Sequence, residues 1–559
     1  MPGPGVVWDR IGPWVLLATF ALLYCALLGV RPLMTPDEGR YAEISREMLL
    51  SGDWVTPRLD GYLYFEKPPL QYWATALSFA VFGLHEWSAR LWSALMYLAA
   101  GAAVGWCGLR LYGRQVAVLA MLCYFSMALP FVLGQVETLD SGVAAFLTIA
   151  MCAFCVAQST PAARPARLPM LLCWAAMGGA VLSKGLIGIV LPAAALAIYV
   201  LITQQWRLLQ RMCWWTGLAL LALIVMPWFA LVTARNPGFA HFFFIHEHFE
   251  RYLTVVHERV EPWWYFIIVI TLGLLPWTLR VVQGFAEVLG GRADSGARVA
   301  GALRPLLLLA IWSLFVIFFF SLSHSKLMPY VLPVFPAVAL ILAHRIEAEP
   351  ARGFRLSAAM AALIWIGLLI ASFVSADRLQ ARFDADEARW IVRWARAACV
   401  LAIIPIAIAW LSFAAAARPR RPLHAWRLLA AAQIVGIFLF TLAATPYGAS
   451  RSSVRYIEAA PVAFAAASEV YSIGELDQTL MFYLRRRITL VEFVNEFEYG
   501  MRADPSRAAL TLETFRARWL AASRPVAVIE SSWIPAVEAL GLPVKLIYRD
   551  RRGAVMIPG

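Results

Sequence analysis

Long apolar runs are the feature of this sequence that most restricts how the chain can fold. A helix needs about 20 mainly apolar residues to cross the roughly 30 Å of hydrocarbon in a bilayer. Thirteen segments have that character, and only Ser183-Lys184-Gly185 separates the fifth from the sixth. They lie at approximately 11–30, 88–108, 115–134, 139–158, 168–183, 185–203, 212–233, 263–279, 305–321, 328–344, 356–375, 390–412 and 427–445. The sequence therefore predicts a polytopic α-helical membrane protein with about 13 transmembrane helices.

The net charge of +13 raises the question of nucleic acid binding, but the placement of the basic residues argues against it. With the N-terminus inside, every short inner loop is basic, as the positive-inside rule requires. These loops contain Arg110, Arg114, Arg164, Arg167, Arg207, Arg211, Arg280, Arg292, Arg298, Arg304, Arg345, Arg352, Arg355, Arg418, Arg420, Arg421 and Arg427. The long segments 31–87, 234–262 and 446–559 are thereby assigned to the outer side, and we expect no nucleic acid partner.

The sequence changes character after Pro446. We therefore predict a transmembrane domain over residues 1–446 and an outer domain over residues 447–559. In the outer domain, strand-like segments alternate with helical patterns, which favours a small α/β domain. The strands are predicted at 469–473, 488–493 and 526–530, the helices at 477–486, 512–522 and 532–540, and a closing hairpin at 544–548 and 554–557. No glycine-rich phosphate loop and no metal-ligand spacing occurs there, so we assign this domain no chemistry.

The first outer segment, 31–87, contains the signature of a helix start, Thr35-Pro36-Asp37-Glu38. In it threonine is the N-cap, proline takes the first helical position and glutamate follows three residues after the cap. Beyond it the apolar residues Tyr41, Ile44 and Met48 recur at helical spacing. This pattern predicts an amphipathic helix of low hydrophobicity that lies in the membrane interface. A second such helix is predicted over 70–82.

Two aspartates are candidate catalytic residues. Asp37 lies at the start of the predicted interfacial helix, where free amides and the helix dipole keep its carboxylate ionised. Asp140 lies at the outer mouth of the fourth span, and acidic groups at spans are costly, which by default suggests function. A plain structural explanation exists for each: acidic residues favour first helical turns, and Asp140 together with Thr138 would cap a helix.

Four cations on the outer side form a further group: Lys67, Arg251 and Lys326 come from three separate segments, and Arg40 lies one turn after Asp37. Lone lysines and arginines at helix ends often only extend their charge to the interface. Cations that converge on one cavity would instead form a phosphate site. The sequence alone leaves both explanations open.

Histidines cluster in residues 234–262, where His246 and His248 alternate with Glu247 and Glu250. These residues, together with Glu66, are candidate ligands of a divalent metal. Their spacing matches no closed site, however, and a histidine-rich interfacial loop often holds no metal. We therefore expect that no cofactor is required and that a metal, if one binds, is not essential.

Several outer-side motifs resemble those of the GT-C glycosyltransferases that use polyprenyl-phosphate sugars. They are Thr35-Pro-Asp-Glu-Gly-Arg-Tyr-Ala-Glu43, Phe65-Glu-Lys-Pro-Pro-Leu-Gln-Tyr-Trp73, Glu137-Thr-Leu-Asp-Ser141, Leu182-Ser-Lys-Gly185, His246-Glu-His-Phe-Glu-Arg-Tyr252, Pro262-Trp-Trp-Tyr265 and Ser325-Lys-Leu-Met-Pro-Tyr-Val-Leu-Pro333. They occur in family order over roughly residues 10–345. The extra spans and the small C-terminal domain resemble the branch that transfers 4-amino-4-deoxy-L-arabinose to lipid A. One departure is Met328, which lengthens the usual Lys-Leu-Pro run and blurs the alignment of Lys326 and Tyr330.

The resemblance implies a GT-C fold and an active site on the periplasmic side of a bacterial inner membrane. It makes Asp37 the catalytic carboxylate and Asp140 a second acidic residue. Lys67, Arg251, Arg40, Lys326 and Tyr330 would hold the lipid phosphate of the donor. The implied donor is a sugar on undecaprenyl phosphate, the acceptor is lipid A, and we expect a monomer. The family's role in modifying lipopolysaccharide also implies resistance to polymyxin and other cationic peptides.

Three alternatives remain at this stage. A protein O-mannosyltransferase would share the motifs but would need Asp37 as a general base for a hydroxyl acceptor. A transporter would explain the spans, although no half-to-half repeat is visible and the motifs lie at one membrane face. A non-enzymatic lipid-binding protein would explain the interfacial helix but not the pair Asp37 and Asp140.

Overall fold

A computed structural model of the chain describes residues 4–160, 166–250, 261–291, 303–414 and 421–559. Side chains are described for these residues apart from 4–11, 248–250 and 421–422. The chain forms two compact units. The helical unit consists of Met1–Leu27 and Leu91–Ala444, and the mixed unit consists of Leu28–Arg90 and Thr445–Gly559.

Helices make up the helical unit, and each of the thirteen predicted apolar runs overlaps at least one of them. Its helices are Pro4–Cys25, Glu86–Leu111 (which begins in the mixed unit), Arg114–Phe125, Ala128–Leu133, Leu139–Ser159, Arg167–Lys184, Ile187–Thr203, Arg207–Gln210, Trp214–Arg235, Phe239–His241, the π-helix Phe242–Glu250, Tyr265–Gly273, Thr278–Leu289, Pro305–Leu322, the 3₁₀-helix Met328–Val331, Val334–Ala348, Phe354–Val374, Ala376–Gln380, Ala385–Ala414 and Arg421–Ala443. Within the described residues, seven helices are long and apolar enough to cross a membrane. A bent pair adds an eighth if it counts as one span. The prediction of a multi-pass membrane protein is confirmed.

Two helix breaks follow from local chemistry. The helix Arg167–Lys184 ends before Gly185, whose φ of 93° is open to glycine but strained for other residues. This break confirms that two helices occupy residues 168–203. The predicted run 263–279 is interrupted instead, because Tyr265–Gly273 and Thr278–Leu289 meet at a bend of 109°. Pro276 lies in the break, where it lacks an amide donor and disfavours helical geometry in the residue before it.

The C-terminal part of the mixed unit is built around a five-stranded sheet. Its strands are β3 (Glu469–Ile473), β4 (Thr489–Val491), β5 (Pro525–Glu530), β6 (Val544–Arg549) and β7 (Gly553–Pro558), whereas β1 (Arg58–Leu59) and β2 (Tyr62–Leu63) form a separate antiparallel hairpin. The order is β4-β3-β5-β7-β6, with β3 parallel to both of its neighbours and β7 antiparallel to both of its own. The sheet confirms the predicted α/β layer and its closing hairpin.

Helices and short turns make up the rest of the mixed unit. They are Asp37–Ser51, Leu70–Phe82, Thr445–Ser450, Val454–Ala459, Pro461–Ala466, Thr479–Leu484, Glu498–Ala503, Leu512–Ala521 and Ile534–Glu538, with the 3₁₀-turns Asn495–Phe497, Pro505–Arg507 and Ser531–Trp533. The core of the sheet is aromatic and aliphatic: Tyr471, Phe515, Trp519, Ile529 and Met556 are all buried together. Burial of such side chains is the main stabilising term of a small domain.

The helix Asp37–Ser51 is confirmed, and Tyr41, Ile44 and Met48 on its apolar face are buried. Its polar face is not left to solvent, however, since Glu43 and Arg46 are buried as well and pair with each other. Residues 445–559 supply part of this cover. A Cβ atom at Gly39 would overlap the backbone nitrogen of Thr479, so glycine permits the close approach.

Candidate active site

Asp37 is the first residue of the helix Asp37–Ser51, and 51% of its side chain is exposed. The predicted N-cap is wrong: Pro36 precedes the helix, and no side chain caps it. The hydroxyl of Thr35 instead donates to the side-chain oxygen of Gln478. The open helix start leaves Asp37 at the positive end of the helix dipole.

A buried ion triad anchors the chain immediately around Asp37. The carboxylate of Glu38 lies 2.6 Å from Arg31 Nη1 and 2.7 Å from Arg90 Nε, and it accepts the Met34 amide at 2.9 Å. Burial raises the pKa of Glu38, but the charges and hydrogen bonds of the two arginines together hold that pKa well below its usual range. Arg90 also donates to the carbonyls of Leu28, Arg31 and Pro32. The triad therefore fixes the segment that leads into the helix.

Arg40 connects Asp37 to the C-terminal segment. Its Nη1 lies 2.9 Å from Asp37 Oδ1, and its Nη2 pairs with Glu496 Oε2. The Gln478 amide donates to the other Glu496 oxygen at 3.0 Å. Only 11% of the Arg40 side chain and 6% of the Glu496 side chain are exposed. Sequence reasoning missed Glu496 and Gln478, because nothing in the local pattern at 478–496 indicates a partner near residue 40.

Glu66 and Lys67 belong to the same unit as Asp37. Lys67 Nζ donates to the Glu66 carbonyl at 2.8 Å and lies 3.9 Å from the Glu66 carboxylate. The phenol of Tyr41 connects these residues to Asp37: burial raises its pKa most, and both Asp37 and Glu66 raise it further. The structure thus pairs Arg40 with Asp37 and Lys67 with Glu66, and the charges of Asp37, Arg40 and Glu66 all affect the pKa of Tyr41.

In the helical unit, Asp140 is held by two contacts. Its carboxylate pairs with Lys184 Nζ and accepts the Thr138 hydroxyl at 3.2 Å, while Thr138 caps the helix Leu139–Ser159 by accepting the Asp140 amide. Lys184 Nζ also lies 4.4 Å from the centre of the Tyr330 ring. The structure therefore joins the predicted residues Asp140 and Tyr330 through Lys184. Sequence analysis gave Lys184 no role, although Leu182-Ser-Lys-Gly185 contains it.

Lys326 also lies in the helical unit, where it is 7% exposed and donates to the Ser323 carbonyl at 2.6 Å. Arg251 lies outside the described residues, as does the side chain of His248. His246 Nδ1 lies 3.7 Å from the Glu247 carboxylate. Across the part of the chain that the structure describes, no group of three or more His, Cys, Asp or Glu residues is arranged to hold a metal. The metal ligands suggested by the sequence stay a prediction.

Two protein families match the sequence. Residues 13–243 match the family described as dolichyl-phosphate-mannose-protein mannosyltransferase. Residues 457–557 match the aminoarabinose transferase C-terminal domain. The first match covers the segments of Asp37, Lys67 and Asp140, and the second covers the segment of Glu496.

Curated relatives carry the name undecaprenyl phosphate-alpha-4-amino-4-deoxy-L-arabinose arabinosyl transferase. The protein of that name from Edwardsiella ictaluri is 31% identical over 367 residues, which cover 64% of each chain. The one from Aeromonas salmonicida is 34% identical over 337 residues, which cover 60% of each chain. The matched region thus spans somewhat less than two thirds of the length of these relatives.

Solved structures match over nearly the whole chain. The crystal structure of ArnT from Cupriavidus metallidurans bound to undecaprenyl phosphate has a TM-score of 0.86 and 32% sequence identity to this chain. The apo structure of the same protein has a TM-score of 0.85 and 31% identity. Both comparisons cover 98% of this chain and 98% of the other.

Proposed function

The chain belongs to the aminoarabinose transferases, a family of GT-C glycosyltransferases, and from this premise we propose that it transfers 4-amino-4-deoxy-L-arabinose from undecaprenyl phosphate to the phosphate groups of lipid A. The observation that carries the proposal is the likeness to ArnT from Cupriavidus metallidurans, which extends over 98% of both chains. That likeness includes the region of Asp37 and the C-terminal sheet. Transfer of the sugar would modify lipopolysaccharide and protect the cell against cationic peptides.

The proposed location is the bacterial inner membrane, with the active site on the periplasmic face and the protein acting as a monomer. Support for the orientation comes from the distribution of charge, because the predicted topology assigns the arginine-rich loops to one side and the segments of Asp37 and Lys67 to the other. A lipid-linked donor and a lipid acceptor both present their phosphates at the membrane surface. An active site in the interfacial segments would meet both of them.

In the proposed mechanism, cations stabilise the departing lipid phosphate as negative charge develops on it. Lys67 and Arg251 are assigned this role, with Arg40, Lys326 and Tyr330 in support. A lipid A phosphate has a second pKa of about 6 and is largely ionised at neutral pH, so it needs little deprotonation before it attacks. Direct displacement by that oxygen would invert the anomeric carbon.

Asp37 then orients the donor, through the amine of the sugar, or accepts a residual proton. Its half-exposed side chain supports this role, since a substrate can reach the carboxylate. Asp140 already faces the ammonium of Lys184, so we assign Asp140 the secondary, charge-balancing role. The steps use protein side chains alone, and we propose that no cofactor is required. Activity that survives exhaustive treatment with a chelator would support that part of the proposal.

The test is mass spectrometry of lipid A after purified protein has been incubated with the donor lipid and lipid A. An added aminopentose on a lipid A phosphate is the expected product. Cells with and without the protein provide the same comparison in vivo. Unmodified lipid A, under conditions in which an authentic family member gives product, would overturn the proposal.

A second candidate is a protein O-mannosyltransferase that uses a polyprenyl-phosphate hexose. The match of residues 13–243 to the mannosyltransferase family favours it. The match of residues 457–557 to the aminoarabinose transferase C-terminal domain favours the first candidate. A hydroxyl acceptor needs Asp37 as a true general base, so the choice is tested by offering protein and lipid A acceptors in parallel. Hexose transfer to serine or threonine would establish the alternative.

A further inference from the structure

Two side chains near the start of the helix Asp37–Ser51 form a charged row with one side chain of the C-terminal segment. They are Asp37, Arg40 and Glu496. Asp37 and Arg40 are three residues apart, a spacing that places them on one face of a helix. Such a pair on an exposed helix is weak, because solvent screens it and a flexible arginine loses rotamer freedom when it is held. Arg40 is not in that situation, since most of its side chain is buried.

Glu496 supplies the second half of the contact that holds Arg40. One Nη atom of the guanidinium faces Asp37 and the other faces Glu496. A planar guanidinium with a carboxylate at each of these nitrogen atoms has a defined orientation, which a single pair does not impose. Glu496 and Asp37 together therefore orient the Arg40 guanidinium.

Glu496 is itself oriented by a chain of hydrogen bonds that returns to the helix start. Gln478 donates to Glu496 through its amide nitrogen and accepts the Thr35 hydroxyl through its amide oxygen. Thr35 lies two residues before Asp37. A continuous set of contacts therefore begins at Thr35, before Asp37 in the sequence, and ends at Arg40, after it. It passes through Gln478 and Glu496 of the C-terminal segment.

The charges make this arrangement more than a structural clamp. Burial lowers the pKa of Arg40, but the carboxylates of Glu496 and Asp37 and the phenols of Tyr64 and Tyr41 together hold that pKa well above its usual value. Burial raises the pKa of Glu496, the charge of Arg40 opposes the increase, and the charge of Glu66 adds to it. Burial raises the pKa of both phenols well above the usual value, so these groups stay neutral. The charge of Arg40 is therefore divided between two carboxylates, one of which is Asp37.

We propose that Glu496 is a positioning residue for the transfer reaction: it holds Arg40 against Asp37 and takes up part of the positive charge of Arg40, so that Asp37 keeps its orientation. The inference rests on the proposed function, and it goes beyond it by giving the C-terminal segment a part in catalysis. Gln478 and Thr35 are the residues that orient Glu496. The substrate-contacting group in this scheme is Asp37, and Glu496 acts through Arg40.

The test compares pH profiles of kcat for full-length variants purified in detergent. Glu496→Gln keeps the side-chain shape but leaves Arg40 with one carboxylate, so the acid limb assigned to Asp37 should move to lower pH. Arg40→Gln removes the cation from Asp37 and should move that limb to higher pH. We expect Glu496→Gln to lower kcat about ten- to a hundredfold with little change in the KM of the donor, as a misplaced group does.

Two further variants control the experiment. Glu498→Gln changes an exposed carboxylate on the adjoining helix, which pairs with Arg502, and should behave as wild type. Glu496→Asp keeps the charge but shortens the side chain, so it should lower kcat without moving the acid limb. This variant retains the test if Glu496→Gln fails to accumulate in the membrane.

The outcomes separate the inference from the proposed function. Opposite shifts for Glu496→Gln and Arg40→Gln support the positioning role. Shifts in the same direction, or a Glu496→Gln profile equal to that of Glu498→Gln, overturn it while transfer by the wild-type protein still stands. Absence of aminopentose transfer by the wild-type protein refutes the proposed function instead.

Discussion

Asp37 and Asp140 are the same residue type, each in the first turn of a helix, but the two units use them differently. In the mixed unit, half of the Asp37 side chain is exposed, and its partner Arg40 is shared with Glu496. In the helical unit, the Asp140 side chain is 12% exposed and is held by Lys184 and Thr138. Burial and partners, rather than residue type, therefore distinguish a carboxylate that can meet a substrate from one that already has its counter-charge.

The physical difference is one of dielectric environment. A solvated carboxylate at a helix start is stabilised by water and by the helix dipole, so its charge needs no partner side chain. A carboxylate enclosed in the protein must be paired, because an isolated buried charge is strongly unfavourable. Asp37 is thus expected to matter for the reaction, and Asp140 for the stability of its unit as well.

The substitution Asp37→Asn is the strongest test of the different roles assigned to Asp37 and Asp140. We expect transfer to fall by about 10²–10⁴-fold, the usual contribution of a group that handles a proton or a developing charge. The thermal unfolding midpoint should barely change, since substitutions of exposed residues usually alter stability by no more than about 0.5 kcal/mol. The measurement is the initial rate of aminopentose transfer, with Glu498→Gln as the matched surface variant. A wild-type rate for Asp37→Asn would remove this residue from the catalytic assignment.

The second test addresses Asp140 and Lys184 through stability. Replacing Asp140 by asparagine leaves the Lys184 ammonium without its carboxylate, and loss of one partner of a largely buried pair costs about 3–5 kcal/mol. Lys184→Met alone should cost a comparable amount, whereas the double variant should recover part of the loss. Chemical unfolding of the four proteins gives the coupling energy. Additive losses would show that the two side chains do not depend on each other.

The sequence predicted the elements of the mixed unit better than the contacts of its site. Helical spacing of Tyr41, Ile44 and Met48 and the strand pattern at 469–473 are local signals, and both elements are present. The pairing of Arg40 with Glu496 joins segments that are distant in sequence, and no local pattern encodes such a contact. The same holds for Lys184 and Asp140. The error at Thr35 has a related cause, since its hydroxyl is used by Gln478 instead of the helix start.

A third prediction sharpens the comparison at the cations. If Lys67 holds the donor phosphate, Lys67→Ala should weaken the binding of undecaprenyl phosphate about ten- to a hundredfold, the equivalent of one charge-assisted hydrogen bond. Arg251→Ala should have a similar effect. Asp37→Asn should spare or tighten binding, because it removes a negative charge near the phosphate.

The measurement is a titration of the purified proteins with undecaprenyl phosphate in detergent. Lys545→Ala, which removes an exposed lysine from β6, provides the control for a general loss of positive charge. Equal affinity of wild type, Lys67→Ala and Arg251→Ala would assign these cations to the acceptor phosphate instead.

A third carboxylate, Asp60 of the mixed unit, extends the comparison to a buried group whose side chain forms no ion pair among the described residues. It is 1% exposed, its Oδ1 accepts the Ile488 amide at 3.0 Å, and its Oδ2 has no hydrogen-bond partner among the described residues. Burial raises its pKa to about 8, with the nearby carboxylates Glu47 and Glu43 adding to the increase and Arg507 opposing it. Asp60 is therefore protonated at neutral pH, whereas Asp140 forms an ion pair with Lys184.

The smallest expected effect follows from this protonation. Because the folded-state pKa of Asp60 is raised, its contribution to stability is complete below the unfolded-state pKa of about 3.9 and is lost as the pH rises from there to about 8. The loss should not exceed about 1.4 kcal/mol for each pH unit for this one group. Asp60→Asn keeps an oxygen that can accept the Ile488 amide but cannot lose a proton, so this variant should flatten the decline between pH 5 and pH 8. The measurement is the thermal unfolding midpoint of wild type and Asp60→Asn at a fixed heating rate across that range. Glu43, whose pKa burial raises to about 7, should leave a residual slope in the variant, and identical pH profiles for the two proteins would show that Asp60 is ionised in the folded state.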